Sequence, residues 1–159
     1  MLPRIETVSE KKLVGKAVKM SLIDNKTFEL FSGFMPNRNL IKTTIGSDIY
    51  EVTEYNVDYF KNFNPNNNFK KWATLEVENT ENIPEGMQSI TIASGLYAVF
   101  TYKGLAKDFS KMMQYIFTEW LPSSEYALDN RLHFNVLGQK YIHDSPASEE
   151  DVYLPIKQK

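Results

Sequence analysis

The 159-residue chain contains no cysteine, so a disulfide framework, a thiolate metal site and a thiol nucleophile are all closed to it. Histidine is scarce as well. His133 and His143 stand ten positions apart, far from the i, i+4 pair of an HExxH zinc site, and no structural metal is expected. The seven glycines are scattered; none builds a Walker-type phosphate loop or a Gly-x-Ser-x-Gly elbow, so the usual phosphate cradle and the usual strained serine nucleophile are missing. Neither sign of charge dominates. With 18 Lys+Arg against 20 Asp+Glu and no basic block longer than two residues, the chain carries no electrostatic footprint for nucleic acid and no polybasic membrane anchor. No apolar run approaches the roughly 18 residues that a membrane-spanning helix needs, and residues 1–10 lack the apolar centre of a signal peptide. The cytosol is the expected address, and no cofactor is expected.

What is abundant is aromatic: 10 Phe, 9 Tyr and 2 Trp, enough for a substantial core in one domain. Residues 12–22 place Leu13, Val18, Met20 and Leu22 near period two and predict a strand with Gly15 at a bulge. Asp24 or Asn25 is a candidate N-cap for a helix carrying Phe28, Phe31 and Met35, which Pro36 should break or restart. Residues 48–56 are β-branched and aromatic and predict a second strand. The five asparagines and Pro65 of residues 62–68 predict an exposed loop, and residues 72–78 a third strand. After the turn-rich 82–86, residues 88–93 and 96–102 predict strands. Leu105, Phe109, Met112, Met113, Ile116, Phe117 and Trp120 then recur at spacings of three and four, predicting a helix that Pro122 ends. Residues 131–137 predict a further strand, and 152–156 a short last one, with Pro155 pointing to an edge or an end position.

The order strand, helix, strand, strand thus occurs twice. Strand starts near 12, 48 and 72 correspond to starts near 96, 131 and 151, although the residues themselves hardly match. The expected fold is α+β: duplicated β-α-β-β units over about 11–80 and 88–157 within one domain. They are related by a pseudo-two-fold axis in a mostly antiparallel sheet, with two main helices on one face and a cleft between the halves.

Among the acids, Glu51 and Glu54 on one strand and Glu76 and Glu78 on another read as solvated strand faces. Glu76 is the weak candidate for proton transfer. Aromatics on the inferred elements are more informative. Trp72, Tyr97, Trp120 and Tyr153, with Tyr50 weaker, are candidates for the wall of a cleft that holds flat, apolar or cationic ligands, by burial and by cation–π attraction of about 0.5–2 kcal/mol per contact. Phe109, Met112, Met113, Ile116 and Phe117 are assigned to the core. His133, beside Phe134, reads as a hydrogen-bonded structural histidine, and His143 as a solvated one.

Five ordered segments carry a resemblance: residues 83–87 (Ile-Pro-Glu-Gly-Met), 95–104 (Gly-Leu-Tyr-Ala-Val-Phe-Thr-Tyr-Lys-Gly), 120–124 (Trp-Leu-Pro-Ser-Ser), 133–137 (His-Phe-Asn-Val-Leu) and 152–156 (Val-Tyr-Leu-Pro-Ile). Together they resemble the GyrI-like small-molecule-binding family, which includes the effector-binding domains of AraC-type and MerR-type transcription activators. The likeness is tight over 83–157 and loose over 11–78. It implies an aromatic-lined cleft between two halves of the fold inferred above. It also implies a glutamate directly after the phenylalanine of the 133–137 strand, where a carboxylate among aromatics would pair with lipophilic cations. Here that position is Asn135, an amide that keeps hydrogen-bonding capacity without the charge. Glu76 or Glu119 could stand in for the missing acid. The resemblance further implies a second activity known among stand-alone members, hydrolysis of cyclopropane-containing toxins by pocket acids and tyrosines.

The expected function is therefore that of a stand-alone protein binding a flat, largely apolar small molecule, cationic or neutral, with Asn135 as polar anchor. No nucleic-acid or membrane partner is expected, and a protein partner is left open. Two rivals from other classes remain. One is a hydrolase of electrophilic small molecules in which Glu76 or a cleft tyrosine moves a proton. The other is a protein-binding inhibitor of the gyrase-inhibiting type, which would present a surface rather than a pocket.

Overall fold

The structure, a computed structural model, describes residues 1–159. Nine strands, β1 (Arg4–Val8), β2 (Lys11–Met20), β3 (Thr44–Glu54), β4 (Phe69–Val77), β5 (Gln88–Ile92), β6 (Gly95–Lys103), β7 (Tyr126–Leu128), β8 (His133–Leu137) and β9 (Glu149–Gln158), accompany two main helices, α1 (Thr27–Phe34) and α2 (Phe109–Tyr115). The sheet runs β1-β6-β9-β8-β3-β4-β2-β5, with β7 on the end of β9, and each of its pairings is antiparallel. It curves into a half-barrel with both helices on one face.

Exchanging β1 for β5, β2 for β6, β3 for β8 and β4 for β9 turns the strand order into its own reverse. The pseudo-two-fold axis therefore passes between β3 and β8. Two strands escape the reading from periodicity. The first is β1, whose Arg-Ile-Glu-Thr-Val alternates weakly; the second is β7, too short for any period to register. β1 precedes β2 in the chain yet pairs with β6, while β5 pairs with β2. Each half thus hands its first strand to the other half's edge.

Several local expectations are corrected. Gly15 sits in unbroken register with Thr74 on one side and Gln88 on the other; the irregularity lies instead in β3, between Thr44 and Ile49, where Gly46 takes φ +69°. In α1 the buried stripe is Leu30 and Phe34, whereas Phe28 is 80% exposed, because the helix settles on the small Ala73 and on Val14, Leu75 and Val77. Lys26 is its N-cap, and Asn25 contributes by accepting the Thr27 amide at 2.9 Å. Pro36 tightens the chain into a 3-10 turn over Met35–Leu40. The second helical stretch is not uniform: α2 passes into a π-turn over Ile116–Trp120 and a final turn, Leu121–Ser123, that contains Pro122. β9 is an interior strand of ten residues, between β6 and β8. Pro155 is accommodated because it lies beyond the last β8 pair, Phe134 with Tyr153, and before the first β7 pair, Leu128 with Ile156.

Arg131 stitches strands of the second half together. Its guanidinium donates to the carbonyls of Leu96 and Ile156 and to Asp129 at 2.7 Å, and it lies 4.6 Å over the Tyr97 ring. Gly95 makes room for it, since a Cβ there would fall 2.5 Å from Arg131 Nη1. Gly95→Ala is expected to dislodge these bonds and cost about 2 kcal/mol in a denaturant titration; an unchanged midpoint would show the guanidinium to be free to move.

Candidate functional site

Strand register decides which predicted residues meet. Adjacent residues on a strand face opposite ways, so one row of paired residues crosses the sheet on each face. One row reads Ala17, Trp72, Val52, Phe134, Tyr153, Val99; the next reads Lys16, Ala73, Glu51, Asn135, Val152, Phe100. The second row is the helix-bearing face: α1 packs against Ala73 and its neighbours, and the α2 stretch against Phe100, Val152 and theirs.

Tyr50, Trp72, Tyr97 and Tyr153 are brought together on the first face, around Phe134. Tyr153 stacks on Phe134 at 4.4 Å, and Tyr97 meets it edge-on at 5.2 Å. Their polar ends are matched within the chain. The Tyr97 hydroxyl donates to the Leu132 carbonyl at 3.0 Å, that of Tyr50 to Glu76 at 3.4 Å, and Trp72 Nε1 to Glu54 at 3.4 Å. The chain's own cations already cover three of these rings: Lys11 over Tyr50, Lys70 over Trp72 and Arg131 over Tyr97. This is the filled interior of the half-barrel. Glu76 belongs to it, 3.7 Å from Lys11, so it is a paired and largely buried acid rather than a solvated one. Trp120 lies apart, edge-on to Phe100 at 5.2 Å in the core beneath α2, and Glu119 is exposed on the π-turn.

Asn135 is on the other face, at the floor of the groove between the two helices. Its direct partner across the pseudo-two-fold axis is Glu51. Glu51, expected on a solvated strand face, has a side chain only 19% exposed that lies 3.5 Å from Lys71. Lys71 in turn donates to Thr27 Oγ1 at 3.1 Å, tying the first turn of α1 to the floor. Glu150, on β9, completes the charged set. Burial, followed by the field of Glu51, raises its carboxyl to about 7, and Lys71 opposes the shift. The hydroxyl of Tyr141, from the loop after β8, is also raised, by burial and then by the fields of Glu150 and Glu51.

Aromatics close one end of the groove. His133 meets Tyr55 edge-on at 4.9 Å and stacks with Phe60 at 5.6 Å. Burial, and secondarily Arg131, lowers the imidazole to about 3, so it is neutral at physiological pH. That agrees with the structural role expected of it, though its partners are rings. Phe60 stacks on Phe117 at 4.8 Å; Phe117, expected in the core, packs against the cluster beneath α2 as a half-buried ring.

Glu150 and Phe60 gave little signal in the sequence. Glu150 stands in the run Glu149-Glu150-Asp151, which reads as a solvated charge cluster, and Phe60 lies in a segment without periodicity. Only the pairing of β3 with β8 would have placed Glu51 beside Asn135.

The comparisons agree with this architecture. A family model described as "Cass2: Integron-associated effector binding protein" matches residues 4–156. The transcriptional regulator BrlR of Pseudomonas aeruginosa is 31% identical over 93 residues, 58% of this chain and 34% of that protein; the chain thus matches about a third of the length of this curated relative. The structure of SAV2435 bound to tetraphenylphosphonium is similar at a TM-score of 0.68 and 16% identity, covering 99% of this chain and 94% of the other. The integron cassette protein VCH_CASS2 of Vibrio cholerae is similar at a TM-score of 0.65 and 12% identity, covering 99% and 97%. At these identities the structural likenesses speak for the fold. The family model covers nearly the whole chain, and with a β3–β8 axis flanked by two helices the protein belongs to the integron-associated effector-binding family and has the GyrI-like effector-binding fold.

Proposed function

We propose that the groove between the helices takes up flat, largely apolar small molecules, and that a preference for cations switches on as Glu150 ionises. The charge balance of the floor carries this reading. Lys71 offsets Glu51 at 3.5 Å, so the net sign is set by Glu150, whose carboxyl titrates at about 7. Below that pH the floor is close to neutral, and a ligand is held by contact with Tyr55, Phe117 and Tyr141. Above it the floor is net negative in a partly dehydrated setting, where two unit charges 4 Å apart interact with about 4 kcal/mol at an effective dielectric of 20. Asn135 serves as the uncharged hydrogen-bonding member beside Glu51. The lipophilic cation held by SAV2435 belongs to the chemical class such a floor would accept.

The test is calorimetric titration at pH 6 and pH 8 with tetraphenylphosphonium, a permanent cation, with 9-aminoacridine, a planar cation, and with neutral fluorenone. A bound cation pulls the Glu150 carboxyl down and releases its proton, so cation affinity is expected to rise about tenfold from pH 6 to pH 8 while that of fluorenone stays level. Glu150→Gln should abolish the rise. A rise that survives in Glu150→Gln, or cation affinity flat with pH in the wild type, would remove Glu150 from the site. Failure of all three probes to bind would end the groove reading.

A further inference from the structure

The ring of Phe60 stacks with two others, Phe117 at 4.8 Å and 19° and His133 at 5.6 Å and 21°, while Tyr55 and Tyr59 meet it edge-on at 4.8 and 5.0 Å. The three stacked rings come from separate parts of the chain. Phe60 belongs to the segment between β3 and β4, Phe117 to the π-turn after α2, and His133 to β8. Phe60, from the first half, thus stacks on two rings that both belong to the second.

Two features distinguish this from ordinary core packing. The segment bearing Phe60 forms no part of the sheet ladder; the backbone bonds on either side of Phe60 are short-range, Tyr59 to Asn56 and Lys61 to Asp58, and the segment is tied to the rest of the chain only farther on, where Ile23 donates to the Pro65 carbonyl. Tyr59, one residue earlier, is 5% exposed and anchored against Met20 and Phe69, so the Phe60 ring can swing out while its neighbour stays moored. The opposite wall is equally particular. A π-turn is an uncommon interruption of a helix that recurs at functional positions, and here it buries Ile116 and Trp120 while leaving Phe117 partly uncovered.

We infer that the space between Phe117 and His133 is a subsite for one planar aromatic ring of the ligand, and that Phe60 is a displaceable stand-in which fills it from within the chain. This rests on the reading of the groove as the ligand site and adds its specificity: fused or single planar rings enter the slot, whereas bulky tetrahedral ligands contact the groove beside it. The neutral imidazole wall repels neither uncharged rings nor delocalised cations. Because Phe60 competes for the same space, planar ligands bind with their intrinsic affinity reduced by the fraction of molecules in which the slot is open.

Phe60→Ala should therefore tighten binding of 9-aminoacridine about tenfold and change tetraphenylphosphonium affinity less than twofold, and Phe117→Ala should weaken 9-aminoacridine about tenfold. In the wild-type protein, proton NOEs between the Phe60 and Phe117 rings should be lost at saturating 9-aminoacridine, a measurement that does not depend on either variant folding. Persistence of those NOEs at saturation, or unchanged or weakened 9-aminoacridine binding in Phe60→Ala, overturns the inference while the groove reading stands on its pH-dependent cation binding. If no probe binds wild type or Phe60→Ala, both fall together.

Discussion

Gly15→Ala should lose roughly 4 kcal/mol or more of stability, a large share of the roughly 5–15 kcal/mol that holds a domain folded. A Cβ at position 15 would lie 1.9 Å from the carbonyl oxygen of Ala73 and 2.7 Å from the Cα of Thr74. Both are backbone atoms of the neighbouring β4, so no rotamer change relieves the overlap. The strands would have to part where β2 is paired on both sides. The glycine is required by the close approach of the β4 backbone rather than by a positive φ. Gly33→Ala supplies the contrast. That glycine lies within α1, and a Cβ there meets nothing closer than Lys16 Nζ at 3.7 Å, so the change should be neutral or stabilise by up to about 1 kcal/mol. Urea denaturation of the two variants decides the matter; a Gly15→Ala midpoint within experimental error of wild type would show that the strands can separate cheaply.

Glu150→Gln should have the opposite sign and depend on pH. The raised carboxyl of Glu150 keeps, between about 4.5 and 7, a proton that the unfolded chain has released; its contribution to stability is therefore lost as pH rises through that window. His133, lowered to about 3, does the reverse. Between about 3 and 6.5 the unfolded chain binds a proton that the folded protein refuses, so stability is lost as pH falls. From about 4.5 to 6.5 the two differences cancel, one proton on each state, and the pair leaves stability level. Removing the carboxyl exposes the histidine limb. Relative to wild type, Glu150→Gln should be nearly equal at pH 4 and more stable by roughly 2 kcal/mol at pH 8. Its own stability should begin to fall below about pH 6.5, by up to about 1.4 kcal/mol per pH unit. Thermal or urea unfolding from pH 4 to 8 tests this, and a stability gap that does not widen toward pH 8 would contradict it.

The elements of this fold were largely legible because period two and period three to four survive in the chain: the second half announces its helix through Phe109, Met112, Ile116 and Trp120, and β6 through an apolar run. The site was much less so. Phe134 and Asn135 are neighbours on one strand and must face opposite ways, so an anchor at Asn135 and a wall built from the row of Phe134 could not share a cleft. Which other residues join each row depends on register between strands more than 80 residues apart, as for Glu51 with Asn135, and no local pattern encodes that. The burial of Glu51 and Glu76 is hidden for a related reason. Half-buried acids on strands look solvated until the lysine across the ladder, Lys71 or Lys11, is seen beside them.

The exchange of β1 and β5 between the halves also bears on how the chain folds as it is made. The outer edge of β2 has no partner until β5 has been synthesised, and β1, which precedes β6 by about 90 residues, must wait for it. Neither half can be completed from its own residues, so these outer pairings close late, over long sequence separations of the kind that slow folding. Until then β1 and β2 present unpaired backbone, and Lys11, Lys12, Lys16 and Lys19 along β2 supply the charge that discourages a second nascent chain from pairing there.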